Sequence, residues 1–380
     1  MERVTLLIGG DVVPTEPNMS LFREGRIGEA MGGTLFREWL EADIRVFNLE
    51  TPLTDRDTPI PKAGPNLRAP REAVKGLAQM QPTVVGTANN HIMDQGAPGW
   101  ADTMEALREQ GLKTIGSGER LGRTGGSILL EKKGRKIGLY ACAEHEFSIA
   151  GEHEPGAEPF DETGSREAIR ALREQADFVA VLYHGGKEQY RYPSPELQKR
   201  CRGMIEAGAD LVVCQHSHCI GCEEKYGGGT IVYGQGNFLF LKRDNEYWKT
   251  SLLVRAELGD GKPEISYIPL KQKHPGIEKA EGRDAEEMLK AFRERSRQIQ
   301  EEEFIGKHYA ELARMNRNDL LRRFDLISST TLYRAINRAT GKRLDRWYFG
   351  KVYRKKKYAM RNAVECETWN ELLREALKAD

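Results

Sequence analysis

The strongest constraint in this sequence is a short apolar run, Leu211-Val212-Val213-Cys214, that opens directly into Gln215-His216-Ser217-His218. Gly208-Ala209-Asp210 precede it, and an apolar run bounded by turn residues suits a strand buried on both faces of its sheet. Two imidazoles just past such a strand stand where open α/β sheets place their ligands. Neutral imidazole is also the commonest metal ligand near pH 7. The same stretch closes on Ile231-Val232-Tyr233-Gly234-Gln235-Gly236-Asn237-Phe238.

Upstream, strands and helices alternate. A strand over 4–8 ends in Gly9-Gly10-Asp11, and helical spacing over 27–40 precedes a strand over 44–47 that runs into Asn48-Leu49-Glu50-Thr51-Pro52. Residues 55–70, rich in Pro and Asp, read as a surface loop. A short helix to about Met80 leads to a strand over 83–85 and then Thr87-Ala88-Asn89-Asn90-His91; the helix after Asp94 is stopped by Gly111. A strand pair over 127–130 and 136–140 turns at Lys133-Gly134-Arg135. A helix over 165–175 precedes the strand 178–182, which ends in Tyr183-His184-Gly185-Gly186-Lys187-Glu188. Pro193-Ser194-Pro195 starts a helix to Glu206, and two antiparallel strands over 252–257 and 264–268 close the domain. Alternating units of this length predict a layered α/β fold over 1–275. From 281 to 380 apolar residues recur only at helical spacing among dense charge, which predicts a helical extension.

Charge is nearly balanced, with 58 basic and 57 acidic residues, so no global field points to nucleic acid, which is not an expected partner. The apolar run over 4–8 is too short for a signal-peptide core, and no apolar stretch approaches the ~20 residues that span a bilayer. Six cysteines without a secretory signal point to reduced thiols, hence to a cytoplasmic protein. Cys219 and Cys222 form a C-x-x-C, but no second one completes a four-cysteine zinc site.

The polar residues fall in a telling place. Asp11, Glu50, Asn90, His184, His216 and His218 each follow an apolar strand candidate. If those strands are parallel in one sheet, their C-terminal ends bring these groups to one rim. Mixed oxygen and nitrogen ligands suit zinc, manganese or iron better than calcium. Singly, each residue has a bland explanation: a turn or cap for Asp11, a loop acid for Glu50, a structural histidine for His184. Jointly they point to a metal site.

These motifs resemble, in order, those of the CapA family of capsule and poly-γ-glutamate synthesis proteins. The match runs through Gly9-Gly10-Asp11, Asn48-Leu49-Glu50, Asn89-Asn90-His91 with Asp94, and Tyr183-His184-Gly185-Gly186-Lys187-Glu188. It continues through Gln215-His216-Ser217-His218 and Tyr233-Gly234-Gln235-Gly236-Asn237-Phe238, covering residues 4–242. The resemblance implies a four-layer α/β/β/α sandwich similar to calcineurin-like metallophosphoesterases, with two divalent ions (Mn, Zn or Fe). It implies that Asp11, Glu50 and His218 hold one ion, and that Glu50, Asn90, His184 and His216 hold the other. His91 would stand nearest the leaving oxygen as general acid, with Asp94 and Glu188 in catalysis and Asn48, Asn89, Tyr190 and Asn237 on the substrate side. The implied chemistry is attack of a metal-bound hydroxide on a phosphoester or amide; the alternative is a non-catalytic accessory subunit of a polymer synthase. Compared with metallophosphoesterases proper, the sequence has Val13 in place of the first-motif histidine. Glu50 replaces the bridging aspartate, and Gln215 replaces a glycine.

From Lys342 to Arg361, nine Lys/Arg and a single acid, Asp345, are interleaved with Trp347, Tyr348, Phe349, Tyr353 and Tyr358. Such a region suits an anionic membrane surface, which would place the protein peripherally at the inner membrane face. It suits equally an anionic polymer, or a solvated basic face with a packed aromatic stripe.

Overall fold

The computed structural model describes residues 2–242, 245–322, 325, 327–355, 360 and 364. The chain forms two compact units, Met1–Gly306 and Lys307–Asp380. Among the described residues, the first unit holds sixteen strands. These are β1 (Val4–Val13), β2 (Ile44–Leu49), β3 (Val84–Gly86), β4 (Thr114–Ile115), β5 (Ser117–Gly118), β6 (Ser127–Lys132), β7 (Arg135–Ala143) and β8 (Gly156–Ala157). They continue with β9 (Phe178–His184), β10 (Leu211–Gln215), β11 (Glu223–Tyr226), β12 (Gly229–Val232), β13 (Asn237–Phe240), β14 (Thr250–Leu258), β15 (Glu264–Lys273) and β16 (Gly276–Lys279). Its helices are α1 (Met19–Arg23), α2 (Ile27–Ala30), α3 (Gly33–Glu41), α4 (Val74–Gln79), α5 (Gly96–Glu109), α6 (Gly164–Arg173), α7 (Pro195–Glu206) and α8 (Gly282–Gln298).

Two large sheets form. One has the order β16-β15-β14-β1-β2-β3-β4, with β13 also pairing β1; the other has the order β11-β12-β10-β9-β7-β6. The central strands β1, β2 and β3 are parallel in the first sheet, as are β7, β9, β10 and β12 in the second. Alternation along each strand sorts its side chains into layers. Leu6, Ile8, Val46 and Val84 of the first sheet share a core with Leu139, Ala180, Leu182 and Val213 of the second. Leu7, Phe47 and Val85 pack outward with Phe22, Leu35, Trp39 and Leu77, and Val179, Val181 and Val212 pack outward with Ile169, Leu172 and Met204. The unit is therefore an α/β/β/α sandwich. Trp39 anchors one outer layer, fully buried, with its ring 5.1 Å from Phe238 and its Nε1 donating to Met80 O at 2.7 Å. Each such large apolar side chain contributes about 1.5–3 kcal/mol by burial.

Local signals place the helix ends. Ser194 caps α7 by accepting from Leu197 N, with Pro195 in the first turn. Gly111, at φ +68°, ends the α5 turn. The helix expected over 27–40 is instead two, because Gly32 at φ +63° breaks it between α2 and α3. The first unit also extends beyond 275. Phe292 of α8 is buried with Ile220 and Leu252, so this helix belongs to the sandwich.

The second unit contains most of α9 (Phe304–Met315), and then α10 (Arg317–Arg322), α11 (Thr331–Ala339) and α12 (Arg343–Trp347). Thr330 caps α11, and the Tyr333 hydroxyl donates to the buried Asp345. Tyr348, Phe349 and Tyr353 stack in series, whereas Trp347 is 54% exposed. Lys356, Lys357, Tyr358 and Arg361 of the expected basic stretch lie outside the described residues. No helix among the described residues is long and apolar enough to cross a membrane.

Candidate metal centre

The polar residues converge, but on the facing rims of two sheets rather than on one rim of a single sheet. Asp11, Asn48, Glu50, Asn89 and Asn90 come from the first sheet, and His184, His216 and His218 from the second. The strand run is also longer than the apolar signal. β1 continues to Val13 because its end pairs with β13, so Asp11 lies within a strand, at a register shift. The two glycines before it make that pairing possible. A Cβ on Gly10 would stand 2.1 Å from Gly236 O, and one on Gly9 2.6 Å from the Phe238 ring. On the other rim, His216 and His218 both adopt left-handed backbone, φ +81° and +53°. Non-glycine residues hold that conformation at a cost, and it clusters at functional sites.

Two ligand groups result: Glu50, His184 and His216, and Asp11, Glu50 and His218, with the ligand atoms of each group within 4.8 Å of one another. All are buried. Both Glu50 oxygens lack a hydrogen-bond partner, with His184 Nε2 lying 3.2 Å from Oε1, and His216 Nδ1 is likewise unpartnered. A fully buried carboxylate with no hydrogen bond costs several kcal/mol unless a cation compensates it. This donor set of carboxylate oxygens and imidazole nitrogens therefore fits divalent metal ions.

The protonation pattern expresses the same demand for positive charge. Burial alone would raise the Asp11 carboxyl, but the His218 contact and the charge of His184 hold it at about 2. Burial disfavours charge on His218, yet the Glu50 and Asp11 carboxylates lift it to about 9, and Glu50 raises His184 in the same way. His216 goes the other way: burial, then the charges of His184 and His218, push it well below the usual value and keep its ring neutral.

Amides brace the carboxylates. Asn89 Nδ2 donates to Asn48 Oδ1 (2.9 Å) and to Leu49 O (2.8 Å), and Asn48 Nδ2 donates to Asp11 Oδ1 (2.7 Å). Asn237 Oδ1 lies 2.8 Å from His218 Nδ1. Asn48, Asn89 and Asn237, expected on the substrate side, are thus buried and bonded to ligands or backbone. Asn90 Oδ1 lies 3.0 Å from His184 Nε2, and its Nδ2 donates to Glu146 (2.6 Å). His91 Nδ1 lies 2.5 Å from Asp94 Oδ2. Asp94 also accepts from Leu67 N and pairs with Lys62, whose side chain is buried and whose Nζ is 3.1 Å from His91 Nδ1. Glu188 is exposed on the loop after β9 and is not among the converging carboxylates; Tyr190, half-buried, stacks edge-on with Tyr192.

Sequence reasoning missed Lys62, Glu144 and Glu146. Lys62 lies in the loop read as surface, while Glu144, 3.8 Å from His216 Nε2, and Glu146 follow β7 without a flanking signal. Cys219 and Cys222 are buried free thiols and belong to neither ligand group.

Residues 5–242 match the family described as bacterial capsule synthesis protein PGA_cap. The PGA biosynthesis protein CapA of Bacillus subtilis is 32% identical over 219 residues, 55% of this chain and 57% of that protein. The capsule biosynthesis protein CapA of Bacillus anthracis is 31% identical over 54% of this chain and 51% of that protein. The chain thus spans little more than half the length of these two relatives. A Mycobacterium tuberculosis protein named "Probable polyglutamine synthesis accessory protein" is 26% identical over 62% of this chain and 73% of its own length. Among solved structures, a novel phosphatase of Mycoplasma pneumoniae has a TM-score of 0.47 at 13% identity, covering 72% of this chain and 96% of that one.

Proposed function

The chain belongs to the bacterial capsule synthesis protein family, and from that premise we propose that it is a metal-dependent hydrolase of cell-surface polymer biosynthesis. The observation that carries this reading is Glu50, a buried carboxylate with no hydrogen-bond partner, shared by two imidazole-bearing ligand groups. Asp11, Glu50 and His218 would hold one ion, and Glu50, Asn90, His184 and His216 the other. Divalent ions there supply Lewis-acid polarisation and acidify water near neutral pH. The substrate is a phosphoester or amide of an anionic polymer. His91 works through Nε2, because its Nδ1 faces Asp94 and Lys62. That leaves Nε2 to hand a proton to the leaving group. Lys62 and Leu67 N fix Asp94, and Asp94 fixes the imidazole.

The test is hydrolysis of a generic phosphodiester with added Mn²⁺ by wild type and by His216→Ala. Metal-dependent turnover in wild type that disappears in the variant is the expected result. Absence of turnover in both would sink the catalytic reading.

A second reading, a non-catalytic accessory subunit of a polymer synthase at the membrane surface, is favoured by the name of the mycobacterial relative. It is also favoured by exposed Met315, Leu332 and Trp347 among the basic residues of the second unit. That reading predicts co-sedimentation with phosphatidylserine vesicles that is lost in Trp347→Ala, without intrinsic turnover. On either reading the protein acts from the cytoplasmic side, peripheral to the inner membrane.

A further inference from the structure

Beside the ligand cluster, Arg191 and Arg295 both bind one turn, with the exposed Lys187 on the loop that carries Arg191. Arg191 Nη1 donates to Ile220 O (2.8 Å), and Arg295 Nε donates to the neighbouring Gly221 O (2.7 Å). The two guanidiniums are therefore anchored to successive carbonyls of the turn that follows His218. The Arg191 backbone closes on that turn, with its carbonyl 3.3 Å from where a Cβ of Gly221 would stand. Lys187 extends from the same loop as Arg191, and its Nζ donates to the Glu188 carbonyl oxygen. None of the three forms an ion pair with a carboxylate among the described residues.

This arrangement is costly by itself. Arg295 is pushed below its usual value first by burial and then by the charge of Arg191. Like charges held together and partly desolvated are relieved by an anion. A guanidinium has five N–H donors, and Arg191 and Arg295 each spend one on the turn. The remaining donors match the two-oxygen edge of a carboxylate or phosphate.

The loop that carries Arg191 is joined to the metal-ligand cluster. The Arg191 guanidinium lies over the Tyr247 ring at 5.0 Å, and Trp248, next in the chain, stacks on the His218 ring at 4.6 Å. Gln189 N, between Lys187 and Arg191, donates to Ser217 O at 2.8 Å, between the two histidines. We propose that Lys187, Arg191 and Arg295 form an oxyanion subsite that holds a carboxylate or phosphate group of an anionic substrate chain away from the reacting bond. The subsite rests on the hydrolase reading for its purpose only, so binding and turnover are measured apart.

The probes are a fluorescein-labelled γ-linked glutamate oligomer and a labelled oligothymidylate, titrated separately into the Mn²⁺-loaded full chain. The variants are Arg191→Met, which keeps the aliphatic stem over Tyr247, and Lys187→Met on the exposed loop. Equal thermal midpoints and metal content show that each variant is folded. Arg191→Met is expected to bind the glutamate oligomer roughly tenfold more weakly than wild type, with a smaller loss in Lys187→Met. The same loss confined to oligothymidylate keeps the subsite and assigns it to phosphate. Unchanged binding of both oligomers in both variants overturns the proposal, whatever turnover is found. Oligomer binding that weakens in Arg191→Met, in a wild type without turnover, overturns the hydrolase reading alone.

Discussion

The two ligand groups share Glu50 but are furnished differently by the protein. In the group of Asp11, Glu50 and His218, Asp11 already accepts from Asn48 (2.7 Å) and from His216 N (3.2 Å). The His218 ring there is walled by Phe240 and Trp248, which pack with Val13. In the group of Glu50, His184 and His216, the neutral His216 ring keeps Nδ1 unpartnered, while His184 Nε2 lies 3.0 Å from Asn90 Oδ1. Asp11 and His218 thus already bond to protein groups, whereas His216 in the second group keeps Nδ1 unpartnered. Val13 belongs to that apolar wall and offers no ligand atom. On the proposed two-ion reading, the comparison predicts tighter binding in the second group and weaker binding in the first.

The sharpest way to break this comparison is Glu50→Gln, which removes the charge common to both groups. Turnover should fall by roughly a thousandfold, the several kcal/mol that metal polarisation supplies. Retention of more than a tenth of wild-type activity would show that Glu50 is not shared. Next come the paired variants His216→Ala and His218→Ala, followed by Mn²⁺ titration calorimetry. His216→Ala should abolish the tighter binding event and His218→Ala the weaker; the reverse order would invert the ranking. Asn48→Ala removes the brace on Asp11 and should weaken the weaker event by about 10–100-fold, the usual cost of losing a partner that orients a ligand. The tighter event should hardly move. The smallest expected effect is a gain: Val13→His should strengthen the weaker event several-fold by adding a nitrogen ligand. No change would mean that the Phe240–Trp248 wall keeps position 13 from the ion.

Much of this was legible in the sequence because the relevant residues follow apolar runs. His184 follows the run 178–182, and His216 and His218 follow the run 211–214, so their place at strand ends was readable, while their convergence depended on how the strands pair. The pairing of those strands was not legible. Nothing in Val4–Ile8 distinguishes it from Val179–Leu182 as a member of the same sheet or the opposite one, so facing rims were read as one rim. Lys62 was hidden for a different reason. The loop around it has the Pro- and Asp-rich composition of a solvated loop, yet Asp94, Gln95 and Leu67 tie it down over His91. Arg295 was hidden by its helix, whose dense charge suggested an appendage although Phe292 buries it in the sandwich. Composition reports how much of a segment faces water, and these functional side chains are the exceptions within exposed segments.

The most direct test of the central claim is the metal content of the purified full chain, measured by mass spectrometry for wild type beside Glu50→Gln. The account predicts about two divalent ions per chain in Mn²⁺-supplemented wild type and near-complete loss in the variant. Wild type without bound metal, or a variant that keeps both ions, would contradict it.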